Sequence, residues 1–255
     1  MRSPVRLSAA AFTHRGAVRA NNEDTIALGS WVRSAAMAAP ERLEHEVADG
    51  APLVALVADG MGGHAAGEVA SRVAAERLVE QAARAVDEAA LAGLLRAVND
   101  ELFELMRARP GLAGMGTTVA GVVVLPAACL VFNVGDSRVY RSDAAGLVQL
   151  STDDTPGPKL ADGRTAAIPS HLITQTLGGD FHDEVVPHVL REPLDQPRRY
   201  LICSDGLSDL LGRDEIEALL ADDLAASVTA LFEAAMARGG RDNVSLILLE
   251  VRREP

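Results

Sequence analysis

Apolar and polar positions along this 255-residue chain follow two periods, and the two predict different elements. Short strand-like runs come first, at Val5–Thr13, Thr25–Ser30 and Leu53–Ala58. Between the last two, Trp31–Pro52 reads as a long loop or partly helical insertion, with Glu41, Arg42, Glu44 and Glu46 on a solvated face. Helical spacing comes next. Glu68–Val86 is Ala-rich and anchored by Val69, Val73 and Val86. Glu88–Met106 sets Leu91, Leu94, Leu95, Val98, Leu102 and Leu105 three and four residues apart, an amphipathic helix that Pro110-Gly111 closes. Four strands without intervening helices succeed it: Thr117–Leu125, Cys129–Val134, Arg138–Ser142 and Leu147–Leu150. Their short connections imply antiparallel pairing, because parallel neighbours need a long crossover. Pro156 to Pro169 is irregular. Strands at Val185–Leu190 and Arg199–Cys203, helices at Asp214–Leu220 and Leu224–Arg238, and a strand at Val244–Val251 complete the chain.

Blocks of strands and helices in this order indicate an α+β fold rather than alternating βαβ units. The expected architecture is a four-layer αββα sandwich: two antiparallel sheets face to face, flanked by helices. No linker or repeat divides residues 1–255, so one domain is expected. Pro110 to Gly135 carries no charge, yet Pro126 splits it. Two buried strands around Leu125-Pro126-Ala127 fit better than a spanning helix of about 20 residues. The Leu7–Phe12 run is too short for a secretory signal. Cys129 and Cys203 lie in apolar runs and read as buried free thiols. The expectation is a soluble, cytoplasmic protein.

Composition adds a charge problem. Lys and Arg total 24 against 36 Asp and Glu, a formal net charge of −12. Such a chain repels nucleic-acid phosphates and anionic membranes. Aromatics are only 3%, too few for base-stacking platforms, while 48% hydrophobic content supplies a core of Ala, Val and Leu.

The acidic residues are not scattered. Leu53–Ala58 runs into Asp59-Gly60-Met61-Gly62-Gly63-His64, Leu201-Ile202-Cys203 into Ser204-Asp205-Gly206, and Val131–Val134 into Gly135-Asp136-Ser137-Arg138. Asp242-Asn243 precedes the final strand, and Asn21-Asn22-Glu23-Asp24 precedes the second. Any single Asp here fits a turn or helix cap. Carboxylates gathered at strand ends repel one another unless a cation lies among them. The recurrence points to a polynuclear oxygen-ligand centre for Mg²⁺ or Mn²⁺, and the six histidines show no zinc-ligand spacing.

With these motifs in place, the sequence resembles the type 2C protein phosphatases, metal-dependent Ser/Thr phosphatases, in their bacterial branch. The motifs are Arg19-Ala-Asn-Asn-Glu-Asp24, Val57-Ala-Asp-Gly-Met-Gly-Gly-His64, Gly116-Thr-Thr118, Asn133-Val-Gly-Asp-Ser-Arg138, Cys203-Ser-Asp-Gly-Leu-Ser-Asp209 and Arg241-Asp-Asn243. They stand in family order between about Ser8 and Val251. The resemblance implies a β-sandwich with helices on both outer faces. It implies that Asp59 bridges two metal ions with the Gly60 carbonyl as a further ligand, and that Asp205 and Asp242 ligate one of the pair. Glu23 and Asp24 match the acidic pair that holds the centre, partly through water. Asp136 and Asp209 match positions supporting a third, weaker ion. Arg19 matches the phosphate-binding arginine, a bidentate fork for phosphate oxygens.

The implied reaction is hydrolysis of phosphoserine and phosphothreonine in proteins by a metal-bridging hydroxide attacking phosphorus in line. Two ions about 3.5–4 Å apart make hydroxide available near neutral pH. His64 either protonates the leaving oxygen, orients metal-bound water, or makes a structural hydrogen bond at a helix start. Gly116-Thr117-Thr118 reads as packing that supports the aspartates, and Ser137 and Arg138 as orienting Asp136. The implied partners are phosphorylated proteins, among them a Ser/Thr kinase and its substrates, including forkhead-associated proteins. Neither nucleic acid nor membrane is expected as a partner, and the chain is expected to be a monomer.

Thr152-Asp153-Asp154-Thr155-Pro156 departs from the family's usual Asp-His-Ser, with Asp154 at the His position. The adjoining flap, in about 152–179, is shortened and carries Pro156, Pro158 and Pro169. Three other readings compete. Gly60–Ala65 fits a dinucleotide fingerprint, but Asp59 would face a pyrophosphate and no second parallel strand succeeds it. Gly135-Asp136-Ser137 suggests a serine hydrolase, but the chain lacks a late Asp-x-x-His. A catalytically weak phosphoprotein-binding regulator of the same fold would be expected to lose metal ligands, whereas Asp59, Asp205 and Asp242 are all retained.

Overall fold

The computed structural model describes residues 4–47, 51–62, 66–156, 172–179 and 184–253. In chain order the elements begin with strands β1 (Val5–His14), β2 (Thr25–Leu28), β3 (Trp31–Arg33), β4 (Glu41–Val47), β5 (Leu53–Ala58) and β6 (Gly60–Met61). Helices α1 (Ala66–Glu80) and α2 (Glu88–Ala108) are next. Then come β7 (Gly116–Thr117), β8 (Val119–Val124), β9 (Ala128–Val134), β10 (Arg138–Asp143), β11 (Gly146–Gln149), β12 (Leu177–Gly178), β13 (His188–Pro193) and β14 (Arg198–Cys203). Helices α3 (Asp205–Ser208), α4 (Arg213–Leu219) and α5 (Leu224–Ala237) precede β15 (Val244–Arg253).

Two six-stranded antiparallel sheets form the centre. One runs β11-β10-β14-β15-β1-β4 and the other β13-β9-β8-β5-β2-β3. A small third sheet, β12-β7-β6, includes the strand that begins immediately after Asp59. Period-2 alternation on doubly buried strands explains the stacking. In β15, Ile247, Leu249 and Val251 face the second sheet, while Val244, Leu246 and Leu248 pack with Leu211, Ile216, Val228 and Leu231 under α4 and α5. In β5, Ala55 and Val57 face the first sheet, while Val54 and Leu56 pack with Leu91, Leu95 and Leu102 of α2. Three apolar layers separate four layers of structure, the αββα order expected from the blocks of pattern. Ala70, Ala74 and Ala75, all fully buried, let α1 lie close on the second sheet.

Three expectations need correcting. The described part of Trp31–Pro52 is not helical and only partly loop: β3 pairs with β2, and β4 pairs with β1 over seven register positions, with residues 34–40 as the loop between them. β4 is an edge strand whose inward positions are Leu43, His45 and Val47 and whose outward ones are charged, a usual protection of sheet edges. The helix expected over Glu68–Val86 stops at Glu80, and Ala82–Arg84 form a separate 3₁₀ turn. The strand expected at Val185–Leu190 lies at His188–Pro193, because its partner β9 fixes the register as His188 opposite Asn133. Residues 157–171, with Pro158 and Pro169, lie outside the described residues. Among the described residues, no helix is long and apolar enough to cross a membrane.

Candidate metal centre

Antiparallel register brings the acidic strand ends to one end of both sheets. Thr25 pairs with Ala58, which sets Asp24 beside Asp59. His14 pairs with Val244 and Cys203 with Leu246, which carries Asp242 and Asp205 to the same end on neighbouring strands. Arg138 pairs with Cys203, and this adds Asp136 from the β9–β10 turn.

Hydrogen bonds from behind hold Asp59, Asp24 and the loop that carries Glu23. The Asp59 carbonyl accepts the Thr118 N–H and the Thr117 hydroxyl, both at 2.9 Å, so the Gly-Thr-Thr motif supports the first aspartate as expected. Asp24 is fully buried; its Oδ2 accepts the Ser204 hydroxyl at 3.1 Å, while its Oδ1 has no hydrogen-bond partner. Asn243 ties the loop before β2 to the start of β15. Its Oδ1 accepts the Glu23 N–H at 2.8 Å, and its Nδ2 donates to the Arg15 and Asn21 carbonyls. Gly60 is required by close approach: a Cβ there would lie 2.2 Å from the Gly67 carbonyl oxygen and 2.6 Å from that of Glu23.

The charges are mutually hostile. Burial, then Asp24, Asp205, Asp242 and Asp136 in turn, holds the Asp59 carboxyl well above its ordinary value. Asp24 is pushed up to about 7 by burial, with Asp205 and Asp242 adding repulsion against hydrogen bonds from Ser245 and Ser204. Asp136 is also pushed up to about 7, by burial first and then by Asp205 and Asp209. Burial raises Glu23, partly offset by Arg19. Asp205 and Asp209, at the two ends of α3, line a cavity of about 480 Å³ together with Arg241 and Asp242.

Arg19 joins this group directly. Its Nη2 donates to Asp242 Oδ2 at 2.5 Å, which raises the guanidinium's affinity for its proton, and over half of its side chain stays exposed. His64 and Gly63 lie outside the described residues. Ser137 and Arg138 do not orient Asp136 by a hydrogen bond. Ser137 shares a 2.7 Å hydrogen bond with Thr118, and Arg138 forks onto Asp153 at 2.7–3.2 Å. The sequence pattern did not single out Asn243, Ser204 and Ser71 as supports. Asn243 and Ser204 sit inside the family motifs, but Ser71, donating to the Glu23 carbonyl at 2.5 Å from α1, carries no local signal.

Two observations fit these residues to hard divalent cations: a fully buried carboxylate oxygen on Asp24 without a partner, and an all-oxygen donor set whose members repel one another. Among the described residues, no three of His, Cys, Asp and Glu are arranged to hold one ion by themselves.

Comparison with known proteins identifies the family. A family profile described as Protein phosphatase 2C matches residues 41–248. The serine/threonine protein phosphatase PstP of Mycobacterium tuberculosis is 36% identical over 258 residues, covering 95% of this chain and 44% of PstP. This chain therefore spans less than half the length of that relative. A serine/threonine phosphatase of Listeria monocytogenes is 30% identical over 257 residues, covering 93% of each. The solved catalytic domain of PstP in complex with two manganese ions matches with a TM-score of 0.78 at 34% identity, covering 97% of this chain and 99% of that one. The chain belongs to the protein phosphatase 2C family.

Proposed function

We propose that the chain is a metal-dependent phosphatase that releases phosphate from phosphoserine and phosphothreonine in proteins, using two Mn²⁺ or Mg²⁺ ions and a third, weaker one. The observation that carries this reading is the convergence of Asp24, Asp59, Asp136, Asp205 and Asp242 on one end of the sandwich, with Asp59 repelled by the other four. Asp59, the Gly60 carbonyl, Asp205 and Asp242 would hold the ion pair, and Glu23 and Asp24 would support it. Asp136 and Asp209 would hold the third ion. When bound, the ions supply Lewis acidity, acidifying water and neutralising phosphate charge.

The chain's own residues do the remaining work. Thr117 and Thr118 hold the Asp59 carbonyl, which fixes the backbone from which its carboxylate projects. The exposed face of the Arg19 guanidinium can take phosphate oxygens while its Nη2 stays on Asp242, which ties substrate binding to the metal ligands. A phosphate held there would be fixed next to the residues that would hold the ions, with its Ser or Thr oxygen as the leaving group. Arg19→Ala should raise KM for a phosphothreonine peptide more than it lowers kcat, and an unchanged KM would contradict the role.

The natural partners would be phosphoproteins, with a Ser/Thr kinase and its substrates among them. A cytoplasmic location fits the two unpaired buried thiols, Cys129 and Cys203. The test is phosphate release from phosphothreonine and phosphoserine peptides with Mn²⁺ or Mg²⁺. Release with either metal supports the proposal. Tight peptide binding without release would favour the phosphoprotein-binding regulator instead.

A further inference from the structure

Asp154 stands where the family usually carries His, and every part of it is engaged. Its Oδ2 accepts the Gly135 N–H at 2.8 Å and the Gln175 Nε2 at 2.9 Å, and its Oδ1 lies 2.8 Å from His188 Nε2. The Asp154 N–H donates to the Gly135 carbonyl at 3.0 Å, and the Asp154 carbonyl accepts the Thr174 N–H at 2.7 Å. Gly135 is thus gripped at both its N–H and its C=O by one residue.

The grip acts on a soft point in the backbone beside an acidic residue. Gly135 has φ +97°, and a Cβ there would lie 2.7 Å from Thr118, so glycine is required and the bare backbone is soft. The adjoining residue is the buried Asp136, whose carboxylate stands in the field of Asp205 and Asp209. Repulsion of that kind favours turning Asp136 away about Gly135, and the residues that hold this hinge are Asp154, on both its N–H and its C=O, and Asn133, whose Nδ2 lies 3.2 Å from the Gly135 carbonyl. Asp154 is itself held. His188 belongs to β13, and the Gln175 amide pairs with both the N–H and the C=O of Val186, at 2.7 and 3.1 Å.

We propose that Asp154 is a positioning residue for Asp136. By gripping both sides of Gly135, it fixes the Asp136 carboxylate beside Asp205 and Asp209 and sets the affinity for the weakest-bound divalent ion, with His188 holding Asp154 in place. This rests on the reading of Asp136 as a ligand of that ion. Groups that orient metal ligands typically change affinity about 10–100-fold when removed.

The test is calorimetric titration of the metal-stripped full chain with Mn²⁺, with the melting temperature of each variant measured alongside. Asp136→Asn identifies the ion that depends on that carboxylate. Asp154→Ala should weaken the same ion about 10–100-fold and leave the tighter ions unchanged. His188→Ala should weaken it in the same direction by a smaller factor. Asp154→Asn should rescue, since its amide oxygen can accept from Gly135 and Gln175 while its NH₂ faces His188 Nε2. A lowered melting temperature with unchanged Mn²⁺ affinity in Asp154→Ala would overturn the proposal, as would an Asp154→Asn as defective as Asp154→Ala. If Asp136→Asn removes no ion, the ligand reading falls and the proposal with it. If Asp136→Asn removes one and both Asp154→Ala and His188→Ala leave it intact, only the proposal falls.

Discussion

A fully buried carboxylate with one oxygen unbonded, as in Asp24, is costly unless a cation stands by. Asp24→Asn removes the charge and keeps the shape. In the metal-stripped chain it should raise the melting temperature, while Mn²⁺ affinity falls. A variant that loses stability without metal would show that the Asp24 charge is satisfied by the protein alone. Gly60 makes the opposite case, because its cost is steric and the atoms in the way are backbone. Gly60→Ala should destabilise by about 1–3 kcal/mol, read by denaturant titration, and should also reduce activity by displacing the adjoining Asp59. At this scale the sequence was most informative where one residue type recurred in one context. Asp59, Asp136, Asp205 and Asp242 all sit at the ends of apolar strands, and they were readable for that reason. Ser71 was not, because its hydroxyl serves a carbonyl 48 positions away.

Elements with both faces buried announced themselves as unbroken apolar runs, as in β5, β8 and β9. Amphipathic α2 was equally plain and runs within two residues of its expected end. β4 was not legible, because an edge strand guarded by Arg42, Glu44 and Glu46 carries few inward apolar residues, and its alternation reads as a charged loop. β13 was misplaced for a related reason: Val185 and Val186 suggested a start that the pairing with β9 overrides. α1 depends on small residues for its approach to the second sheet. Ala74→Leu should overpack that contact and cost about 1–3 kcal/mol, measured by denaturant titration. An unchanged midpoint would mean that α1 is free to shift.

Across the whole molecule, the net charge of −12 is unevenly placed: Glu23, Asp24, Asp59, Asp136, Asp205, Asp209 and Asp242 all belong to the candidate centre. Asp24 and Asp136 are held up to about 7 in the folded chain against an ordinary 3.8. The folded state therefore keeps protons that the unfolded state releases, and stability falls as pH rises between those values. In EDTA, the melting temperature should decline from about pH 4 toward pH 8 on account of these groups, and saturating Mn²⁺ should restore it most at the high end. At 100 times its Kd, a bound ion adds about 2.7 kcal/mol. A metal-stripped chain that gains stability over that range, with no response to Mn²⁺, would contradict the charge assignment. The central claim is that the strand-end carboxylates form the metal centre of a phosphatase. It is tested most directly by the rate of phosphate release from a phosphothreonine peptide as Mn²⁺ is added back to EDTA-stripped protein, for the natural chain and for Asp59→Ala. The natural chain should go from no turnover to full turnover with added Mn²⁺, and Asp59→Ala should stay near zero at every concentration. Turnover in EDTA, or an Asp59→Ala protein that recovers with Mn²⁺ as the natural chain does, would contradict the account.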